Sequence, residues 1–207
     1  MTYGTMQDRI ADELARTDLT SQIPKSILSA IAHYERQRFY FNETQFTFST
    51  VANQEYYTSA DSSQIPQLSQ IDTVRITVNS STYTLLNRDF AYLEAVQTSS
   101  TYTGDPTEYA YYAQQIRLYP IPSAVRTIQI SGLQKFTALS ATADTNAWMT
   151  DAEELIRSRA KYDLFMHVIR SPEEALLMRE AERDSYLALV SDTTTRVSTG
   201  RFRPTSF

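Results

Sequence analysis

Proton transfer near neutral pH falls most readily to histidine, and the chain has two, His33 and His167. Neither is tied by a motif to a nucleophile: no His-Glu-x-x-His and no Gly-x-Ser-x-Gly occurs. His33 falls on the polar face of its segment, where the plain reading is a solvated side chain. His167 closes a series, Arg159, Asp163 and His167, at i, i+4 and i+8 in an otherwise apolar arc. Ionisable groups in such an arc are costly unless paired. Two readings stand: a catalytic or metal-binding group, or an Arg–Asp pair satisfied in the core or at a subunit contact. The second is the simpler.

Adjacent acids occur at Asp12/Glu13, Glu153/Glu154 and Glu173/Glu174. Glycoside hydrolysis needs two carboxyls about 5–10 Å apart across a cleft. Neighbours on a helix point about 100° apart and do not make that geometry. Capping and the helix dipole account for the last two pairs. A hydrolase built from distant acids stays open, with no residue pattern in its favour.

Aromatic residues are more telling. There are 14 tyrosines, clustered at Tyr56-Tyr57, Tyr109, Tyr111-Tyr112 and Tyr119. Stacking on single-stranded nucleic acid normally comes with a positive groove, and few Lys or Arg lie nearby. Tyrosine is enriched at protein interfaces because its ring buries area while its hydroxyl keeps a polar partner. An interface role for Tyr109, Tyr111, Tyr112 and Tyr119 is therefore expected.

The elements that must position these groups fall into four parts. Over 1–44 the spacing predicts two helices, one with the stripe Met6, Ile10 and Leu14. The other starts near Pro24 and is apolar at Ile23, Ile27, Ile31, Tyr34 and Phe41. Over 45–145 helical spacing gives way to short alternating segments. Val74–Val78 and Tyr83–Leu85 flank an Asn79-Ser80 turn, Asp89 caps a short helix, and strands fall near 109–113, 116–119 and 125–133. With small turns between them, the simplest sheet is antiparallel. Over 146–190 two helices return. Thr150 with Glu153 has the form of a capping box, and Ser171-Pro172-Glu173-Glu174 has cap, proline and acids in the preferred order.

Residues 191–207 have no period and little apolar mass. They carry Arg196, Arg201 and Arg203 against Asp192. The remaining 190 residues therefore hold a balance of −7, out of 19 basic and 24 acidic residues overall. Such an arm cannot offset its own ordering entropy and is expected to fold onto a partner. The fold class is thus α+β: a bundle of about four helices with an inserted antiparallel β-rich domain and an extended C-terminal arm.

Composition removes further classes. A chain of 207 residues with 42% hydrophobic and 21% charged residues can bury a substantial core. It has no cysteine, so disulfide scaffolds and thiolate metal sites are excluded. Its four glycines are too scattered for a phosphate-cradling loop. A formal charge of −5 argues against a reader of nucleic-acid sequence. No signal peptide and no membrane span are visible. No cofactor is expected.

Four segments taken in order carry a resemblance: Ala30-Ile31-Ala32-His33-Tyr34-Glu35-Arg36-Gln37-Arg38-Phe39-Tyr40-Phe41-Asn42-Glu43, Gly104-Asp105-Pro106-Thr107-Glu108-Tyr109, Ile116-Arg117-Leu118-Tyr119-Pro120-Ile121-Pro122 and Glu154-Leu155-Ile156-Arg157-Ser158-Arg159-Ala160-Lys161. Together they resemble the head–tail adaptor (connector) proteins of tailed bacteriophages, especially short-tailed ones. The resemblance implies a helical bundle with a β-rich insertion and no enzymatic activity. It implies a dodecameric ring of identical copies beneath the portal, in the virion neck, made in the host bacterial cytoplasm. Such a ring prolongs the channel for double-stranded DNA, binds no sequence in it, and offers a platform to the tail nozzle. Arg196, Arg201, Phe202, Arg203 and Phe207 would then anchor the arm on the portal, or helices 150–190 would make the whole portal contact. The acidic body fits a channel wall that does not hold phosphates. The rival readings are a virion-associated cell-wall hydrolase and a carbohydrate- or peptide-binding module.

Overall fold

A computed structural model describes residues 1–62, 65–97 and 102–198. The chain forms two compact units, Met1–Asn42 with Phe136–Phe207, and Glu43–Lys135. The class is α+β, with six α-helices among the described residues.

The helical unit begins with α1 (Tyr3–Leu14) and α2 (Gln22–Tyr34). Thr2 and Thr5 cap α1 reciprocally, and Tyr3, Met6 and Ile10 form its buried stripe. The helix ends where Ala15 turns left-handed at φ 50°. On α2 the buried positions are Ile23, Ile27, Ala30 and Tyr34, and Ile31 sits at the margin. The chain returns at 136 with α4 (Ala147–Thr150), α5 (Glu153–Leu164) and α6 (Pro172–Ser198). Between α5 and α6, Phe165–Ile169 forms a π-helical turn, closed by Arg170 in the left-handed region. Residues 136–145 join this unit, not the insertion. Leu139 is buried in the helical core, and Phe136 lies near Phe41 and Trp148, at 6.4 Å from each.

The unit gathers round α5, which touches α1, α2, α4 and α6. The capping box expected at Thr150 and Glu153 is absent. The Thr150 hydroxyl donates to Asp151, and α5 starts at Ala152 with no side-chain cap. Asn146 caps the short α4 instead, at 3.1 Å from the Trp148 amide. Glu153 is taken up by Arg9 at 2.5 Å and Arg157 at 3.2 Å.

The largest departure is at α6. The expected helix end near Val190 gives way to a helix that runs to Ser198. Threonine is a weak helix former, and the hydroxyls of Thr193, Thr194 and Thr195 each donate to the carbonyl four residues back, which satisfies them without strengthening the helix. Packing holds the extension in place. The Tyr40 amide donates to Thr193 Oγ1 at 3.1 Å, and the Arg196 guanidinium lies 3.7 Å from the Tyr40 ring centroid. Buried Asn42 holds that loop in place, accepting from the Phe39 amide and donating to the Gln37 carbonyl.

The β unit has two four-stranded sheets. β1 (Glu43–Ser49), β3 (Leu68–Val78), β4 (Ser81–Thr84) and β10 (Thr127–Gln134) pair in the order β1-β10-β3-β4, all antiparallel. β2 (Tyr56–Tyr57), β5 (Leu86–Asn87), β7 (Glu108–Tyr112) and β8 (Gln115–Tyr119) pair in the order β2-β8-β7-β5. One core joins them: Phe48, Val74, Ile76, Ile128 and Ile130 from the first meet Tyr57, Tyr109, Ile116 and Leu118 from the second. The purely antiparallel expectation needs correction. β5 pairs parallel to β7, and the two-residue strands β6 (Thr103–Gly104) and β9 (Ile121–Pro122) also run parallel. The β5–β7 crossover contains α3 (Phe90–Val96), capped by Asp89 Oδ1 at 2.8 Å from the Ala91 amide. That helix supplies the return path a parallel pair requires.

Both tight hairpins, Asn79-Ser80 and Ala113-Gln114, hold two successive non-glycine residues at positive φ. This is the twist a two-residue hairpin needs, without its favoured residue. Glycine is used for close approach instead: a Cβ on Gly132 would lie 2.2 Å from the Gln70 carbonyl oxygen, at a register shift between β10 and β3. Two substitutions should therefore move stability in opposite directions in chemical denaturation. Gly132→Ala should cost about 2 kcal/mol or more, because two backbones must part. Gln114→Gly should gain about 0.5–1 kcal/mol by relieving the left-handed strain.

Candidate functional site

Residues two apart on a helix point about 200° apart, so α5 presents opposite charged faces. Arg157 and Lys161 turn toward α1, where Lys161 pairs with Glu13 at 2.7 Å. Arg159 and Asp163 turn the other way and form the floor of a groove, walled by α2 and α6 in its first part and by α2 and the π-helical turn in its second. Part of it, about 760 Å³, is bordered by His33, Tyr34, Leu176, Arg179 and Arg183. A second part, about 410 Å³, is bordered by Lys25, Ser29, Asp163, His167 and Val168. Arg159 borders both.

The polar centre of this groove is Glu182, on α6 and buried. One of its oxygens accepts from the Tyr34 hydroxyl and from Arg159 Nη1, the latter at 3.2 Å. Burial first, and then the neighbouring Glu182 carboxylate, raise the Tyr34 phenol well above its ordinary pKa. Asp163 stands 3.6 Å from Arg159 Nε, an ion pair beyond hydrogen-bond length. Burial raises its pKa, against the opposing pull of Arg159. His167 is exposed on the π-helical turn.

Of the series Arg159, Asp163 and His167, the first two share the groove floor and the third sits at its rim. The expected Arg159–Asp163 ion pair is present at 3.6 Å, and Arg159 also bonds Glu182, a residue that sequence spacing did not connect to α5. Asp12, Glu173 and Glu174 are exposed, while Glu13 and Glu153 pair with basic neighbours. No group of three His, Asp or Glu able to hold a metal ion is found among the described residues.

The four tyrosines part ways. Tyr109 is buried in the β core, and Tyr111 is half-buried with its hydroxyl on the Leu68 carbonyl at 2.8 Å. Both serve their own unit, so the interface expectation fails for Tyr109 and weakens for Tyr111. The period of two along β7 turns them inward. Tyr112 is 61% exposed and stacks on Phe90, and Tyr119 lies against Tyr102 near the surface. Sequence reading also missed Arg117, buried on β8. It bonds Glu55 at 2.5 Å and Glu94, and lies over the rings of Tyr56 and Phe90. The only hint was a charge inside the run Ile116-Arg117-Leu118. Of the arm residues, Arg196 lies on α6 against Tyr40. Arg201, Phe202, Arg203 and Phe207 lie outside the described residues.

The groove is open, charged and walled by long helices, which suits a macromolecular surface better than a small substrate. Comparison with known families agrees with that character: the family model described as SU10 adaptor protein matches residues 1–205. The chain belongs to this family of phage head–tail adaptors. A search of curated proteins found no match. The adaptor is accordingly a structural phage protein of the virion neck, of a family that works between portal and tail proteins. Among the described residues no helix is long and apolar enough to cross a membrane.

Tyr34→Phe removes one donor from buried Glu182 and should lower stability by about 1–3 kcal/mol at pH 7. The folded-state pKa of Tyr34 is raised, so this contribution is complete below the unfolded phenol value near pH 10. It is lost as pH climbs toward the folded value. Urea melts of both proteins at pH 7 and pH 11 should show the gap narrowing at the higher pH.

Proposed function

We propose that the chain forms a closed ring of identical copies, of dodecameric number, seated beneath the portal and carrying the DNA channel on toward the tail nozzle. The family match along residues 1–205 is the observation that carries this reading. The acidic balance of the chain supports a wall past which DNA slides, since few cations are available to replace phosphate counterions. Synthesis in the host bacterial cytoplasm precedes incorporation into the particle.

In this reading the portal-docking arm begins later than residue 191. Thr193 and Arg196 are engaged with the loop at Tyr40 and belong to the helical unit. Arg196 is then the fixed root of the arm. Arg201, Phe202, Arg203 and Phe207 are its anchors on the portal.

Two truncations separate root from anchor. Removing 199–207 should leave thermal stability unchanged and abolish co-sedimentation with portal assemblies. Removing 191–207 should in addition cost about 1–3 kcal/mol, through the lost hydrogen bond and the lost cation–ring contact. Negative-stain images of the intact chain with portal should show rings. Images showing only monomers, alone and with portal, would overturn the ring.

A further inference from the structure

The groove over Arg159 and Asp163 and the outer face of α1 are separate surfaces of the helical unit: α1 meets α5 through Glu13 and Lys161, on the side of α5 turned away from Arg159. Helical geometry places Asp8 and Asp12 on α1 directly away from its buried stripe of Met6 and Ile10. Both are exposed. Their basic neighbours are committed elsewhere: Arg9 to Glu13 and Glu153, Arg16 to Asp18. That face is therefore acidic.

The groove offers the complement. Arg179 and Arg183 are exposed on its α6 wall, with Lys25 on its α2 wall. Glu182 is turned to Tyr34 and Arg159, which leaves Glu180 as the acid of that wall. Asp8/Asp12 and Arg179/Arg183 have the same i, i+4 spacing, about 6 Å along their helices. Leu176 on the wall is 59% exposed, apolar area that a docked surface would cover.

We propose that the α2–α6 groove of one copy receives the outer face of α1 from the next copy, with Asp8 and Asp12 set against Arg179 and Arg183. This deepens the ring reading and rests on it. A patch and its complement at two different places on one subunit make a head-to-tail contact, which closes into a ring when the rotation allows. A two-fold dimer would instead use one patch twice.

The cysteine-free sequence makes the test specific. Full-length chains would carry one acidic-face and one groove cysteine: Asp8→Cys or Asp12→Cys with Arg179→Cys or Arg183→Cys. The four combinations cover both directions in which α1 can lie. Each is assembled, oxidised and run without reductant. The expected result is a covalent ladder beyond dimer for at least one combination, with single-cysteine chains stopping at dimer. Because a neutralised pair can weaken the contact, a charge exchange is run beside it. Asp8→Lys/Asp12→Lys should abolish assembly in sedimentation, and adding Arg179→Glu/Arg183→Glu should restore it. Circular dichroism confirms the fold. Assembly by sedimentation with neither ladder nor rescue overturns this contact and leaves the ring standing. No assembly of the unmodified chain, alone or with portal, overturns the ring and the contact together.

Discussion

A helix buried on two opposite faces leaves little freedom to whatever packs against it. α5 is such a helix. Leu155, Ile156, Ala160 and Leu164 fill the core, and its charged residues emerge to both sides. On one side Lys161 meets Glu13; on the other Arg159 meets Glu182. Charge so close to a core is tolerable only when each member is paired. Rotating α5 by one residue would break both sets of pairs and bring polar groups into the apolar layer. The register of α1, α2 and α6 round α5 is thus fixed by electrostatics as much as by volume.

Much of this could be read from the residues. The stripes of α1 and α2, the Asp89 cap, the proline at the start of α6 and the Asn79-Ser80 hairpin follow from local chemistry, and local chemistry decided them. What escaped was set by distant partners. The capping box at Thr150 failed because Asn146 had already started a helix and Glu153 had basic neighbours. The extension of α6 through three threonines depends on Tyr40, about 150 residues away in sequence, which no propensity foresees. The parallel β5–β7 pair needed α3 to be recognised as its crossover, a question of topology.

The candidate site was legible to the same depth. Arg159 and Asp163 stood out because charge in an apolar arc demands an explanation. The i, i+4 spacing found the pairing with Asp163, but the hydrogen-bonding partner Glu182, with Tyr34, lies on two other helices. Tyrosine clustering drew notice to β7, but alternation along the strand sends Tyr109 into the core and leaves Tyr112 outside. Arg117 shows the opposite failure. A single charge in a strand reads as surface, yet Glu55, Glu94 and two aromatic rings make its burial affordable.

The helical unit is built from two separate segments, with residues 43–135 between them in sequence. On the ribosome this order has a temporal meaning. α1 and α2 emerge first, with Ile10, Ile23 and Ile27 uncovered, and must wait while the whole β unit is translated. At about 5–20 residues per second that wait lasts several seconds. The nascent chain therefore carries a sticky amphipathic hairpin while residues 43–135 are made, and the β unit can fold before these helices find their mates.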